Sequence, residues 1–461
     1  MVVAYRRKQI YKKTERAALS RFNPLFLQKN SLTMTSIDTL YDHFLQYPVV
    51  TTDSRNCPKD SIFIALKGDS FNGNRFAVQA LEQGCRYAVI DEAVEGDAEG
   101  LLRVENCLET LQALAAKHRV HCGIPVIGIT GTNGKTTTKE LMAAVMAKKY
   151  RLLYTQGNLN NHIGVPLTLL SLRPEHEIAI VEMGANHPGE IRTLAQIADP
   201  DFGLITNVGK AHLEGFGSFE GVIRTKGELY EHLRNKGGEI LVNRDNPYLS
   251  ELLQGAVHSA YGTTPHSGLW GEVVSCSPFL RVRFHFEGNS LEAQTQLIGA
   301  YNLENVMAAV CTGLRFGVDP TAIVEALEAY VPSNNRSQFR HTEKNALIID
   351  AYNANPTSMT AAVLNFQGVE AQRKVAILGG MKELGDQSAE EHGKLLQLLK
   401  ASAFERVLLI GNEFKGAQPG FPLFEDVHQC AAFLTEHPLE GCTILLKGSR
   451  SNKLETLLPL L

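Results

Sequence analysis

The sequence predicts an α/β protein of three domains with largely parallel sheets. Three observations carry that reading. Short apolar runs recur along the chain and end abruptly in small or polar residues, and helical stretches such as 303–316 and 389–401 alternate with them. One of these runs opens directly into a glycine loop followed by a helix. A chain of 461 residues also exceeds what one hydrophobic core usually holds.

The first 33 residues stand apart from this pattern. They carry eight Lys/Arg and a single acid, a basic extension expected to lack fixed structure. A transit peptide or an arm for an anionic surface is one reading. An early start codon is the expected one, because "MTSIDTLYDHF" from Met34 looks like a natural beginning. Residues 34–103 then hold a small set of strand signals, "SIFIAL" and "YAVID", around the glycine-bearing loop "KGDSFNGNRF". The strand and helix alternation fills two further regions, 104–333 and 334–461. Strands end as "AIVEMGAN", "GLITNVGKAH" and "EILVNRDN" in the former, and as "ALIIDAYNANP", "KVAILGGMKELG", "RVLLIGN" and "TILLKGS" in the latter. In an open α/β sheet such carboxyl ends face the ligand crevice, so their polar residues are site candidates.

The glycine loop reads "GITGTNGKTTTKE", Gly128 to Glu140. "IPVIGIT" has the β-branched character of a buried parallel strand, and Leu141, Met142, Val145 and Met146 fall at helical spacing. Backbone N–H groups from Gly131 to Thr136 are therefore expected to converge at a helix N-terminus, where phosphate oxygens are favoured. In such a loop Lys135 reaches the terminal phosphates and the Thr136 hydroxyl faces magnesium. Ile129 stands where the standard P-loop has its first glycine, which leaves G-T-N-G-K-T as the usable core.

Composition narrows the class. With 44% hydrophobic and 20% charged residues the chain reads as an ordinary globular protein. Its net charge of −4 becomes −11 without the basic extension, so the folded body gains no support as a nucleic-acid binder. No apolar run is long enough to span a membrane. The eight cysteines are scattered singly, with no C-x-x-C pair, and point to reduced thiols in a cytoplasm.

Two strand-end residues join the loop as candidates. Glu182 closes "EIAIVEM", where a P-loop fold commonly holds a carboxylate for magnesium, and His212 follows "LITNVGKA" at the end of the next strand. Behind a P-loop the pair favours a metal site. Lys226, in "IRTKGELYEHL", reads from the residues alone as a helix-surface lysine without a role.

Taken in order, these motifs resemble those of the Mur ligase family from about Thr51 to Glu455. "TTDSR" and "IFIALKGDSFNGNRF" resemble its uridine-nucleotide domain, which implies that Ser54, Arg55, Asn72 and Gly73 lie near UDP. "GTNGKTTTKE" resembles its ATP loop, which implies nucleotide contacts from Gly131, Thr132, Asn133, Gly134, Lys135, Thr136 and Thr137. "TQGNLNNHIGVPLTLL" and "VEMGANHPGEI" are similar to its muramoyl-peptide and magnesium segments, implying substrate contacts from Asn158, Asn160 and Asn161. "YNLEN" resembles an H-N-x-x-N box with Tyr301 replacing the histidine; Asn302 and Asn305 carry over and position 301 does not. "IIDAYNANPTSM", "GGMKELGDQSAEEHG" and "LLKGSRSNKLE" complete the match.

The resemblance implies a small α/β UDP-binding domain at 34–103, a central ATP-binding domain with a P-loop sheet at 104–333 and a Rossmann-like C-terminal domain at 334–461. It implies an ATP- and Mg2+-dependent amide ligase of peptidoglycan precursor synthesis, joining D-alanyl-D-alanine to UDP-N-acetylmuramoyl-tripeptide through an acyl phosphate. By the family pattern Thr136 and Glu182 hold one magnesium and His212 helps hold a second. Lys226 becomes an N-carboxylated metal ligand, while Asn302 and Asp350 meet adenine and ribose. Arg336 and Asn353 lie near the phosphates, although "NNRSQF" around Arg336 departs from the usual G-R-x-E-like pattern. A cytoplasmic monomer is expected, without nucleic acid or membrane insertion.

Two readings compete. The sibling ligase adding the third amino acid resembles a D-N-P-R pattern in its last domain; no such string follows residue 334, and "RDNPY" at 244–248 lies in the wrong domain. A P-loop GTPase switch needs N-K-x-D, yet Asn235-Lys236 is followed by two glycines and Asn452-Lys453 by Leu-Glu.

Overall fold

The computed structural model describes residues 34–461 apart from 96–97, 266–267, 334 and 418–419. The basic extension, and with it the early-start reading, lies outside the described residues. The chain divides into two compact units, one ending at Leu114 and one running from Ala115 to Leu461.

In the first unit, strands Val50–Thr51, Ile62–Ile64, Tyr87–Ile90 and Leu101–Arg103 form a parallel sheet in that order. The helix Ile37–Gln46 precedes it, started by Ser36, whose hydroxyl accepts from Thr39 N at 3.1 Å. Its buried stripe is Leu40, Tyr41 and Phe44, at the three- and four-residue spacing of a one-sided helix.

The second unit holds two six-stranded sheets. The central sheet runs His258–Tyr261, Glu239–Asn243, Phe202–Ile205, Val126–Thr130, Ile178–Glu182, Leu152–Tyr154, all parallel. Val126–Thr130 is buried at every residue, as the β-branched run requires. From it the chain builds first one flank and then the other, which makes its carboxyl end a topological switch point and hence a ligand crevice. The C-terminal sheet runs Gln338–His341, Ala346–Asp350, Thr443–Lys447, Lys374–Gly379, Arg406–Ile410, Leu423–Phe424; only its first pair is antiparallel. Each of the seven strand runs read from the sequence is a strand, and the two helical stretches are the helices Leu303–Arg315 and Ser388–Lys400.

One element departs from the expected strand and helix alternation. Trp270–Cys276, Leu280–Phe286 and Asn289–Gln294 form an antiparallel sheet. "LRVRFHF" alternates strictly, burying Leu280, Val282 and Phe284 on one face, the period-two pattern of a half-covered antiparallel strand. That face packs in one core with Val306, Met307 and Val310 of the helix Leu303–Arg315.

Candidate active site

The central sheet delivers a strand end, a glycine loop and a helix to one place. Gly134 closes the loop in the left-handed region, φ 78°, directly before the helix Lys135–Met146. A Cβ there would also run into the Asn305 side chain, so both conformation and space require glycine. The expected fan of N–H groups is narrower than the sequence implied. Thr132 N donates to Asn207 O at 3.0 Å and Asn133 N to Asn207 Oδ1 at 2.9 Å. The N–H groups opening the helix, from Gly134 to Thr137, are those left for phosphate oxygens, because an α-helix cannot pair its first turn internally. Lys135 folds its Nζ onto Gly131 O at 2.7 Å and Thr132 O at 3.1 Å, and burial lowers its ammonium to about 8.

Beside the loop stands Glu182, 1% exposed. Its Oε1 accepts from Thr136 Oγ1 at 3.2 Å and Asn160 Nδ2 at 2.8 Å, while Oε2 is buried without a hydrogen bond. Lys139, fully buried, places its Nζ 3.8 Å from Oε2 and donates to Thr155 O at 2.5 Å. A buried carboxylate with an unspent oxygen beside a hydroxyl and an amide oxygen suits a hard cation such as magnesium. Among the described residues no three His, Cys, Asp or Glu side chains gather as a metal cage. Magnesium suits that arrangement, since it commonly takes one or two carboxylates and leaves the remaining positions to water and phosphate.

The C-terminal sheet closes the other side. A cavity of about 820 Å³ is lined by the loop from Thr132 to Thr137, by Asn158, Asn160, Asn161, Glu182 and His212, and by Asn302, Asn305, Arg336, Asp350 and Asn353. It thus gathers most of the site residues named from the sequence. Asp350 accepts from Lys447 Nζ at 2.6 Å, and the same ammonium donates to Asn353 O at 3.3 Å. Arg336 lies with its guanidinium 3.6 Å from the centroid of the Tyr352 ring. Asn302 spends both amide hydrogens, on Ile298 O at 2.8 Å and Ser337 Oγ at 3.4 Å, and accepts from Asn305 Nδ2 at 2.8 Å. Tyr301 also lines the cavity, its hydroxyl 3.3 Å from Ser337 Oγ, and burial pushes its phenol up. His212 meets the carboxylate of Glu383, in the segment that follows the strand Lys374–Gly379, and burial lowers its imidazole. Lys210 and Glu391 make a second such bridge at 3.2 Å.

Lys226 corrects the sequence reading. On the helix Phe219–Lys236 it is 2% exposed rather than on the surface, because the helix is covered along that side as well. Its Nζ donates to Ala185 O at 3.4 Å, and Ala185 lines the cavity. Burial, and then the Lys135 charge, lowers its ammonium to about 7.

In the first unit, Arg55 grips Asp53 with two bonds of 2.9 Å and holds that carboxyl near 2. Ser54 is buried next to it. Asn72 Nδ2 donates to Glu92 Oε2 at 2.7 Å, and a Cβ on Gly73 would lie 2.6 Å from Leu66 O, so that turn too requires glycine.

The sequence did not single out Lys447, Tyr352, Asn355, Asn207 or Lys139. Lys447 had a signal, being the first polar residue at the end of "TILLK". The others act through partners distant in the chain.

This chain is similar to known proteins along most of its length. Family models match as the catalytic domain of the Mur ligase family at residues 46–119, the Mur ligase middle domain at 129–313 and the Mur ligase glutamate ligase domain at 335–450. The UDP-N-acetylmuramoyl-tripeptide--D-alanyl-D-alanine ligase of Bacillus subtilis is 35% identical over 88% of this chain and 91% of its own. That of Escherichia coli is 32% identical over 92% and 97%. Among solved structures, MurF from Acinetobacter baumannii superposes with a TM-score of 0.82 at 31% identity, covering 89% of this chain and 92% of that one. MurF ligase from Thermotoga maritima in complex with ADP gives 0.81 at 26%, covering 90% and 97%. With a glycine loop, a buried carboxylate and a second sheet closing over both, matched along most of its length, this chain belongs to the Mur ligase family.

Proposed function

We propose that the protein joins D-alanyl-D-alanine to UDP-N-acetylmuramoyl-tripeptide at the expense of ATP, in peptidoglycan precursor synthesis. The observation that carries this is the cavity itself, with the glycine loop and Glu182 on one wall and Asp350, Lys447 and Arg336 on the other. A carboxylate resists attack by an amine until one of its oxygens becomes a good leaving group. Transfer of the γ-phosphoryl group of ATP to the tripeptide carboxylate makes an acyl phosphate and ADP. The dipeptide amine, having lost its proton, attacks the acyl carbon, and collapse of the tetrahedral intermediate expels phosphate and leaves an amide. Such chemistry is governed by positioning and charge neutralisation.

The chain's own residues divide that work. The helix N-terminus from Gly134 to Thr137 and Lys135 hold the β- and γ-phosphates, and Arg336 and Asn353 approach them from the C-terminal sheet. Asp350, oriented by Lys447, takes the ribose, while Asn302 and Asn305 shape the adenine side through their mutual bond. Asn158, Asn160 and Asn161 receive the muramoyl peptide, and Ser54, Arg55, Asn72 and Gly73 the uridine nucleotide. Thr136, Glu182, His212 and Lys226 would hold magnesium, which when bound neutralises phosphate charge. For Lys226 this requires the neutral amine to combine with carbon dioxide, giving a carbamate and releasing a proton. A buried lysine without a carboxylate within bonding distance among the described residues supports that role. The domain division is proposed as 34–103, 104–333 and 334–461, and the enzyme as a cytoplasmic monomer, a compartment that suits eight free cysteines.

The test is phosphate release. It should require ATP, UDP-N-acetylmuramoyl-tripeptide and D-alanyl-D-alanine together. Release with a UDP-dipeptide and a free amino acid instead would assign the chain to the sibling reaction.

A further inference from the structure

Among the cations at or after strand ends of the C-terminal sheet, Lys447, Lys382 and Arg450 differ in their surroundings. Lys447 is spent on Asp350 at 2.6 Å, and Lys382 on Glu413. Arg450 is exposed and, among the described residues, has no carboxylate partner. Its guanidinium lies 5.3 Å from the centroid of the Tyr352 ring, the ring that also carries Arg336. Tyr352 and Arg336 line the cavity, so Arg450 stands at its rim.

A lone exposed arginine is ordinarily a solvated one. Arg450 differs because the side chains of its neighbours Ser449 and Asn452 bind the segment that leads to Glu383. Lys382 N donates to Ser449 Oγ at 3.2 Å and Asn452 Nδ2 to Gly380 O at 2.9 Å, which joins residues 449–452 to the segment 380–383. Glu383, at the end of that segment, meets His212. One hydrogen-bonded platform therefore presents an anion beside the central-sheet site and an unpaired guanidinium farther out. A dipeptide zwitterion has the complementary pattern, an amine that must reach the acyl phosphate and a carboxylate roughly 7 Å away at full extension. Guanidinium is the side chain best shaped to take a carboxylate by two parallel bonds, and stacking on an aromatic face fixes its plane.

We propose that Arg450, steadied by Tyr352, receives the C-terminal carboxylate of the incoming D-dipeptide and so sets the enzyme's preference for a free carboxyl end. This rests on the ligase reading above. Arg336 faces the glycine loop across the cavity and belongs to the phosphates; Lys447 is held by Asp350. Arg450 is the unpaired cation, among the described residues, beside the cavity-lining Tyr352 ring and so the one placed for the second substrate.

The experiment compares D-alanyl-D-alanine with D-alanyl-D-alaninamide, which lacks the charge, in full-length wild type, Arg450→Ala and Arg450→Lys, at saturating ATP and UDP-tripeptide. Wild type should favour the acid over the amide by at least about tenfold in kcat/KM. Arg450→Ala should raise the KM for the acid about 10- to 100-fold, the range of a lost charged hydrogen bond, and react with the amide within about twofold of wild type. Arg450→Lys should fall between, and KM values for ATP and UDP-tripeptide should stay within about twofold. Equal losses on acid and amide, a loss confined to ATP, or no loss at all would overturn the assignment. Wild type indifferent to amidation would overturn it without any variant. A wild type inactive with both peptides would instead remove the ligase reading, and the proposal with it.

Discussion

The side-chain amide of Asn355 donates to Asn133 Oδ1 at 2.7 Å, tying the helix Pro356–Gly368 beside the C-terminal sheet to the glycine loop of the central sheet. The same side chain caps its own helix, accepting from Ser358 N at 2.9 Å. Asn355→Ser keeps a capping oxygen but is too short for the bridge. It should melt close to wild type and raise the KM for ATP about three- to tenfold, the worth of one hydrogen bond. Asn355→Ala should in addition lose about 1 kcal/mol with the cap. Melting curves with ATP titrations separate the two effects, and an unchanged KM in Asn355→Ser would make the bridge incidental.

Among the described residues Lys135 bonds only to carbonyls of its own loop. Lys135→Ala should therefore leave the melting temperature nearly unchanged, while turnover at saturating ATP falls about 10²- to 10³-fold, as when one charge-stabilising donor is removed. Near-normal turnover would show that this loop is not the ATP site.

Lys226 makes a pH prediction. Its ammonium is lowered from 10.5 to about 7, so between those values the unfolded chain binds more protons here than the folded one. Stability contributed by this group then rises with pH across that window, and below it the folded state carries a constant penalty. In metal-free buffer without carbon dioxide, Lys226→Met should be the more stable form at about pH 7 and lose that advantage toward about pH 10. A constant difference across the range would mean that Lys226 keeps an ordinary ammonium. With magnesium and bicarbonate, Lys226→Ala should be nearly inactive, and a small added carboxylate should partly restore turnover. Mass analysis of carbon-dioxide-equilibrated protein should find the extra carboxyl group.

Lys447 tests the opposite wall. It is 1% exposed and its ammonium meets Asp350 at 2.6 Å. Lys447→Met leaves that carboxylate with its neighbour gone. Asp350 keeps some access to water, so the cost should be about 2–3 kcal/mol, below the figure for a fully buried pair, and the KM for ATP should rise. Chemical denaturation together with nucleotide titration measures both. A variant as stable as wild type would make the pair a minor one.

What the sequence by itself determined is what depends on neighbouring residues. Apolar runs ending in polar residues gave the parallel strands, since a strand buried on both faces must be apolar and must stop where the crevice begins. Gly131 to Thr136 gave a glycine loop running into a helix, because that loop is built from consecutive residues. Glu182 was found as a strand end, whereas His212, expected at one, lies beyond it as the cap of the short helix Leu213–Phe216, because its strand stops at Ile205. What only tertiary structure decided depends on partners far along the chain. Lys226 has the local look of a surface lysine and is buried, a fact set by what packs on its helix. Asn207 takes the N–H groups of Thr132 and Asn133 from some 75 residues away, which among the described residues leaves unpaired N–H groups at the helix start that follows them. The Asn133–Asn355 and His212–Glu383 meetings exist because segments at the carboxyl ends of two sheets, far apart in the chain, come together. Periodicity within one segment reports which face is buried and carries no record of which distant segment buries it.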